Sequence, residues 1–68
     1  MSVLEQYESY ESPVLKYMNY VPKFKSGVTR ITVMDDEIMV MYFDIPAKFF
    51  ALSEFEAVMQ NVYEEREK

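Results

Sequence analysis

The sequence predicts an α+β fold: a three-stranded antiparallel meander with a C-terminal helix packed on one face and a short helix at the N-terminus. Three observations lead there. In residues 28–34, VTRITVM, three β-branched side chains on one face (Thr29, Ile31 and Val33) alternate with Val28, Arg30, Thr32 and Met34, so one face is apolar and the other mixed, as in a strand. Residues 38–44, IMVMYFD, carry apolar side chains on both faces, as a strand covered on both sides does. After Pro46 the period lengthens, and Leu52, Phe55, Met59, Val62 and Tyr63 form one helical stripe opposite Glu54, Asn61, Glu64 and Glu65.

From the N-terminus, Ser2 followed three residues later by Glu5 fits a capping box, with Val3, Leu4, Tyr7 and Tyr10 at roughly helical spacing. Pro13 stops that helix, because it disfavours helical backbone at Ser12 and has no N–H. Residues 13–22, PVLKYMNYVP, read as the first strand, with apolar and aromatic side chains on both faces and a proline at each end. KFKSG is then a turn in which Gly27 is free to take positive φ. Asp35-Asp36-Glu37 makes a tight polar turn between the second and third strands. Ser53 is the expected N-cap of the C-terminal helix with Glu56 at N3, although Asp44 before Ile45-Pro46 can start it one or two turns earlier. EEREK is a solvated last turn.

Sixty-eight residues make a single domain, 1–68. A chain this short buries only about 60% of the surface its unfolded form exposes, so self-association is expected. The both-sided third strand points the same way, since one helix covers only one face of a sheet. Half of the residues are hydrophobic and 16% aromatic, with one glycine, which argues for a packed chain rather than an acidic tail. The N-terminus has no basic segment followed by an apolar one, and no apolar run is long enough for a bilayer; the expected place is a cytoplasm, without a membrane.

Cysteine and histidine are absent, which removes disulfides, thiolate metal sites, the usual general base and the commonest metal ligand. Asp35, Asp36 and Glu37 lack the spacing and central glycine of a calcium loop, so a polar turn explains them and no metal is expected. Asp44 and Glu56 could act as paired carboxylates, but no nucleophile or glycine-rich phosphate loop accompanies them. The chain reads as a non-enzyme without cofactor. Its charge is uneven: residues 1–34 hold three acids and four bases, residues 35–68 nine acids and three bases, and the net is −5. An acidic second half disfavours direct nucleic-acid binding and suits a basic protein partner, or simply keeps a small protein dispersed. Six tyrosines and six methionines fit either an adaptable contact surface or the core of a tiny domain.

The order of elements carries a resemblance. Val28-Thr29 opens a strand, Asp35-Asp36 follows as a turn, Tyr42-Phe43 lies in the next strand, and Leu52-Ser53-Glu54-Phe55-Glu56 begins a helix with Asn61 five residues beyond Glu56. Across residues 28–61 this resembles the small dimeric uracil-DNA glycosylase inhibitors of Bacillus phages, viral DNA mimics that inhibit DNA repair. The chain departs from that family in a small insertion near Pro46-Ala47, in Met59 where the family has tyrosine, in ending soon after the helix, and in its longer N-terminal segment. Residues 14–21 are the candidate for the strand the family has after its helix.

The resemblance implies a homodimer that occupies the DNA-binding cleft of the glycosylase in the host cytoplasm. It implies that Phe55 lines a pocket for the enzyme's apolar intercalation loop and that Glu56 accepts hydrogen bonds from the cleft, with Glu54, Asp36, Tyr42 and Met59 at the pocket rim. From helical spacing alone, the favoured reading is that Phe55 is an anchor on the sheet and Glu56 a helix cap. The alternative function is an acidic interaction protein against another nucleic-acid-processing target: anti-restriction, anti-CRISPR or polymerase-modulating. YFDIPAKFFAL, residues 42–52, also resembles the KTSC domain, which would imply an RNA-associated role; the negative charge argues against it.

Overall fold

A computed structural model describes residues 2–67. Five strands form one antiparallel sheet in sequence order: β1 (Tyr7–Glu11), β2 (Met18–Pro22), β3 (Val28–Val33), β4 (Glu37–Tyr42) and β5 (Lys48–Ala51). Among the described residues one α-helix, α1 (Phe55–Glu64), packs on one face, and 3-10 turns at Val3–Gln6 and Leu52–Glu54 precede β1 and α1. The expected α+β meander with a C-terminal helix is present, with two more strands than the sequence pattern suggested.

Both added strands arise from pairing. Ser2 caps as expected, its hydroxyl accepting from the Leu4 amide at 3.2 Å, but the cap starts one 3-10 turn instead of a helix through Tyr10. From Tyr7 onward the backbone pairs with β2, Tyr7 opposite Pro22 and Glu11 opposite Met18. Lys48–Ala51 likewise pairs with the outer edge of β4, where Glu37, Ile38, Met39 and Val40 face Ala51, Phe50, Phe49 and Lys48. The stretch expected as one strand over 13–22 divides: residues 13–15 are a turn and only Met18–Pro22 is strand.

The β1–β2 loop closes with Ser12 N donating to Tyr17 O at 2.8 Å and Lys16 N donating to Ser12 O at 3.1 Å. Lys16 has φ of 61°, whereas Gly27 has no positive φ. The left-handed position therefore falls on Lys16, at roughly 1–2 kcal/mol for its Cβ. A second correction concerns the C-terminal helix: Leu52–Glu54 already wind as a 3-10 turn, so Ser53 lies inside helical backbone and no side chain caps α1.

The core lies between α1 and the helix-facing side chains of the sheet. Ile31, Ile38, Val40 and Met59 are fully buried, and Tyr7, Val28, Val58 and Val62 complete the cluster. Each such side chain contributes about 1.5–3 kcal/mol on burial. Phe24 wedges edge-on between Tyr7 and Tyr63, both ring centroids 5.3 Å away, and closes the core where α1 ends. Arg66 stacks over Tyr63 at 4.1 Å, and Glu67 N donates to Lys25 O, so the described C-terminal residues are tied down.

Tyr7 also donates its hydroxyl to the Met59 carbonyl at 2.7 Å, joining β1 to the helix. Burial pushes this hydroxyl's ionisation far above its ordinary value. The fold keeps a proton that the unfolded chain releases near pH 10, so its stabilisation is complete below about pH 10 and is lost as pH rises towards the folded value. Tyr7→Phe is expected to cost about 1 kcal/mol at neutral pH. In thermal melts across the alkaline range it should also flatten the loss of stability, leaving the smaller share of Tyr42; an unchanged slope would contradict this account.

Candidate partner-binding site

In a meander, alternate connections fall at the same end of the sheet. The β1–β2 loop, the β3–β4 turn and the passage from β5 into α1 therefore lie at the same end. They bring Glu11, Asp35, Asp36, Glu37 and Glu54 to one end, with Lys16 the one base in these three connections. Among these carboxylates stand exposed apolar side chains. Val14 is 85% and Leu15 64% exposed at the loop tip, and Leu52 is exposed before the helix. The other end mixes Lys23, Lys25 and Arg66 with Asp44 and Glu65.

The loop is held from below by Asn19, a buried residue on the sheet face away from α1. Its Nδ2 donates to Ser12 Oγ at 2.8 Å and Tyr17 O at 3.1 Å, with Tyr10 O at 3.4 Å, while its Oδ1 accepts from Thr32 Oγ1 at 2.7 Å. The carbonyl pairs that a loose loop would leave to water are thus fixed by one side chain.

A groove of about 520 Å³ opens where the first turns of α1 meet the N-terminal 3-10 turn, lined by Val3, Leu4, Phe55, Glu56, Met59 and Gln60 among others. Phe55 is half-buried, its ring 5.4 Å from that of Tyr20, and so packs on the sheet while contributing to the groove wall. Glu56 is exposed at the same groove. Met59 is wholly buried and forms its floor rather than a free rim.

Phe55, Glu56 and Met59 are therefore brought together, and Glu54 with Asp36 lies at the acidic end where α1 begins. Tyr42 is apart, at the far end of β4 beneath Lys48, whose ammonium lies 5.6 Å from the ring centroid. Burial first and the nearby Glu65 charge second push the ionisation of its hydroxyl to higher pH than usual. It lines a smaller cavity of about 200 Å³ with Asn61 and Glu65.

Two features escaped the sequence reading: the Val14-Leu15 tip and the Val3-Leu4 wall of the groove. Pro13 carried a usable signal for the first, since proline favours the second position of a turn as readily as a strand end. The groove wall had none, because it depends on the N-terminal turn meeting α1. Among the described residues no group of three or more acids is placed to hold a metal ion, and no helix is long and apolar enough to cross a membrane. Compared with protein-family models, curated proteins and solved structures, the chain matches none.

Proposed function

We propose that this protein is a phage-type inhibitor that mimics DNA and, as a dimer, occupies the DNA-binding cleft of a host uracil-DNA glycosylase. The supporting observation is the acidic end of the sheet, where Glu11, Asp35, Asp36 and Glu54 stand with exposed apolar side chains at the end from which α1 starts. A glycosylase that extrudes a base has the opposite character, a basic cleft for phosphates and an apolar wedge for the base stack. The carboxylates stand in for phosphates, and the groove beside Phe55 takes the wedge. Attraction between the charged surfaces speeds encounter, and burial of the wedge slows release.

The test is uracil release from a uracil-containing oligonucleotide by a Bacillus glycosylase, with and without excess protein. Inhibition is expected, and Phe55→Ala should weaken it by more than about tenfold while Glu64→Ala leaves it nearly intact. Circular dichroism of Phe55→Ala separates lost binding from lost folding, because Phe55 also packs on Tyr20. Full enzyme activity at micromolar excess would overturn the proposal. The alternative, an acidic ligand of another nucleic-acid-processing protein, is favoured by the Val14-Leu15 loop, which lies outside residues 28–61 on which the resemblance rests.

A further inference from the structure

α1 covers one face of the sheet and leaves the other open. On that open face stand Tyr10, Val21, Met39, Met41 and Phe49, as the register with Asn19 and Thr32 requires. Tyr10 is 46% and Phe49 54% exposed, although both lie within strands of the sheet. The same face carries one cation in an unusual state. Arg30 Nε is sealed from solvent with no acceptor, and Arg30 Nη2 has Met41 Sδ, at 2.8 Å, as its partner. A guanidinium is satisfied by carboxylate oxygens, not by a thioether. Glu37 is on this face too, by alternation with Met39 and Met41 along β4.

We propose that the open sheet face is the interface of a homodimer, in which Arg30 of each protomer pairs with Glu37 of the other. The proposal deepens the dimer in the reading above and is independent of its glycosylase target. Charge and geometry both select a second copy. Arg30 is opposite Met41 in the ladder, and Glu37 is four residues from Met41. The two charges are therefore offset by one strand, about 4.8 Å, and by roughly 14 Å along the strand. A twofold axis in the plane between two such faces, passing between Thr32 and Met39, superposes each Arg30 on the other protomer's Glu37. The same operation crosses the two sets of strands at about 40°, close to the roughly 30° of aligned sheet packing. It keeps the faces in full register, with the exposed apolar residues inside. Five strands of about five residues present on the order of 400 Å² in projection, so two faces with their side-chain relief bury on the order of 1,000 Å², enough for a specific interface.

The test is molecular mass by sedimentation equilibrium on the full chain alone. Wild-type protein should have the mass of a dimer. Arg30→Glu and Glu37→Arg should each be monomeric, since each homodimer would oppose like charges twice. Mixed in equal amounts, the two variants should recover the dimer mass, because the heterodimer restores both pairs, one as in the wild type and one with its signs exchanged. Phe49→Lys, at an exposed position that the monomer does not need, should weaken association by more than roughly tenfold. A monomeric wild type, a single-charge variant that stays dimeric, or a mixture of folded variants that stays monomeric would each overturn the proposal. The mass measurement contains no enzyme, so failure of the glycosylase reading leaves it standing.

Discussion

Ile31→Ala is expected to leave much of the chain unfolded at 25 °C. Ile31 is fully buried on the central strand, opposite Tyr20 on one side and Val40 on the other, beneath α1. Removing its side chain costs about 2–5 kcal/mol, the transfer term plus the cavity left behind. A domain of this length has only about 3–10 kcal/mol in total at the usual stability per residue. The urea midpoint should therefore fall close to zero, whereas Val14→Ala, at an 85% exposed position, should leave it unchanged. If Ile31→Ala moved the midpoint no more than Val14→Ala, the packing of α1 on this face would not be what holds the fold.

Asn19→Ala is the second large effect, through unsatisfied polar groups rather than volume. Asn19 serves three elements at once: the β1–β2 loop through Ser12 and Tyr17, β1 through Tyr10, and β3 through Thr32. Its removal leaves the buried Thr32 hydroxyl and the Tyr17 carbonyl without these partners, at about 2–3 kcal/mol. The loss should be local as well as global. Amide exchange at Ser12 and Lys16, whose N–H groups close the loop, should accelerate beyond the drop in overall stability. Asn19→Leu combined with Thr32→Val should recover part of the stability, because it removes the orphaned hydroxyl along with its partner. Equal acceleration at every amide in Asn19→Ala would mean that the loop has no independent anchor.

Much of the scaffold was legible because it repeats over many residues. The alternation in Val28–Val33, the both-sided apolar pattern of Ile38–Tyr42 and the helical stripe of Phe55–Val62 each involve several side chains, so local errors average out. The two edge strands were not legible for the opposite reason. Tyr7–Glu11 spaces its tyrosines in a way a helix also allows, and Lys48–Ala51 follows a proline that suits the first turn of a helix. Free backbone donors and acceptors along β2 and β4 decided both, and they appear only once the central strands exist. Asn19 gave no signal, because asparagine is depleted in strands and its use here depends on four partners from elsewhere in the fold.

The candidate site divides in the same way. Sequence order alone placed Glu54, Phe55, Glu56 and Met59 at the start of one helix, and it determined the acidic balance and the absence of histidine and cysteine chemistry. It could not say which of these side chains the core would claim. Met59 became groove floor and Phe55 is shared between groove and core, because α1 approaches the sheet at a depth set by Ile31, Ile38 and Val40. Tyr42 went to the other end, since β4 runs away from the acidic turn that precedes it. Composition and periodicity are local quantities, so the sequence by itself determined a charged, helix-capped sheet. Which carboxylates gather at one end, and which apolar face remains uncovered, follow from strand reversal and register, which exist only in three dimensions.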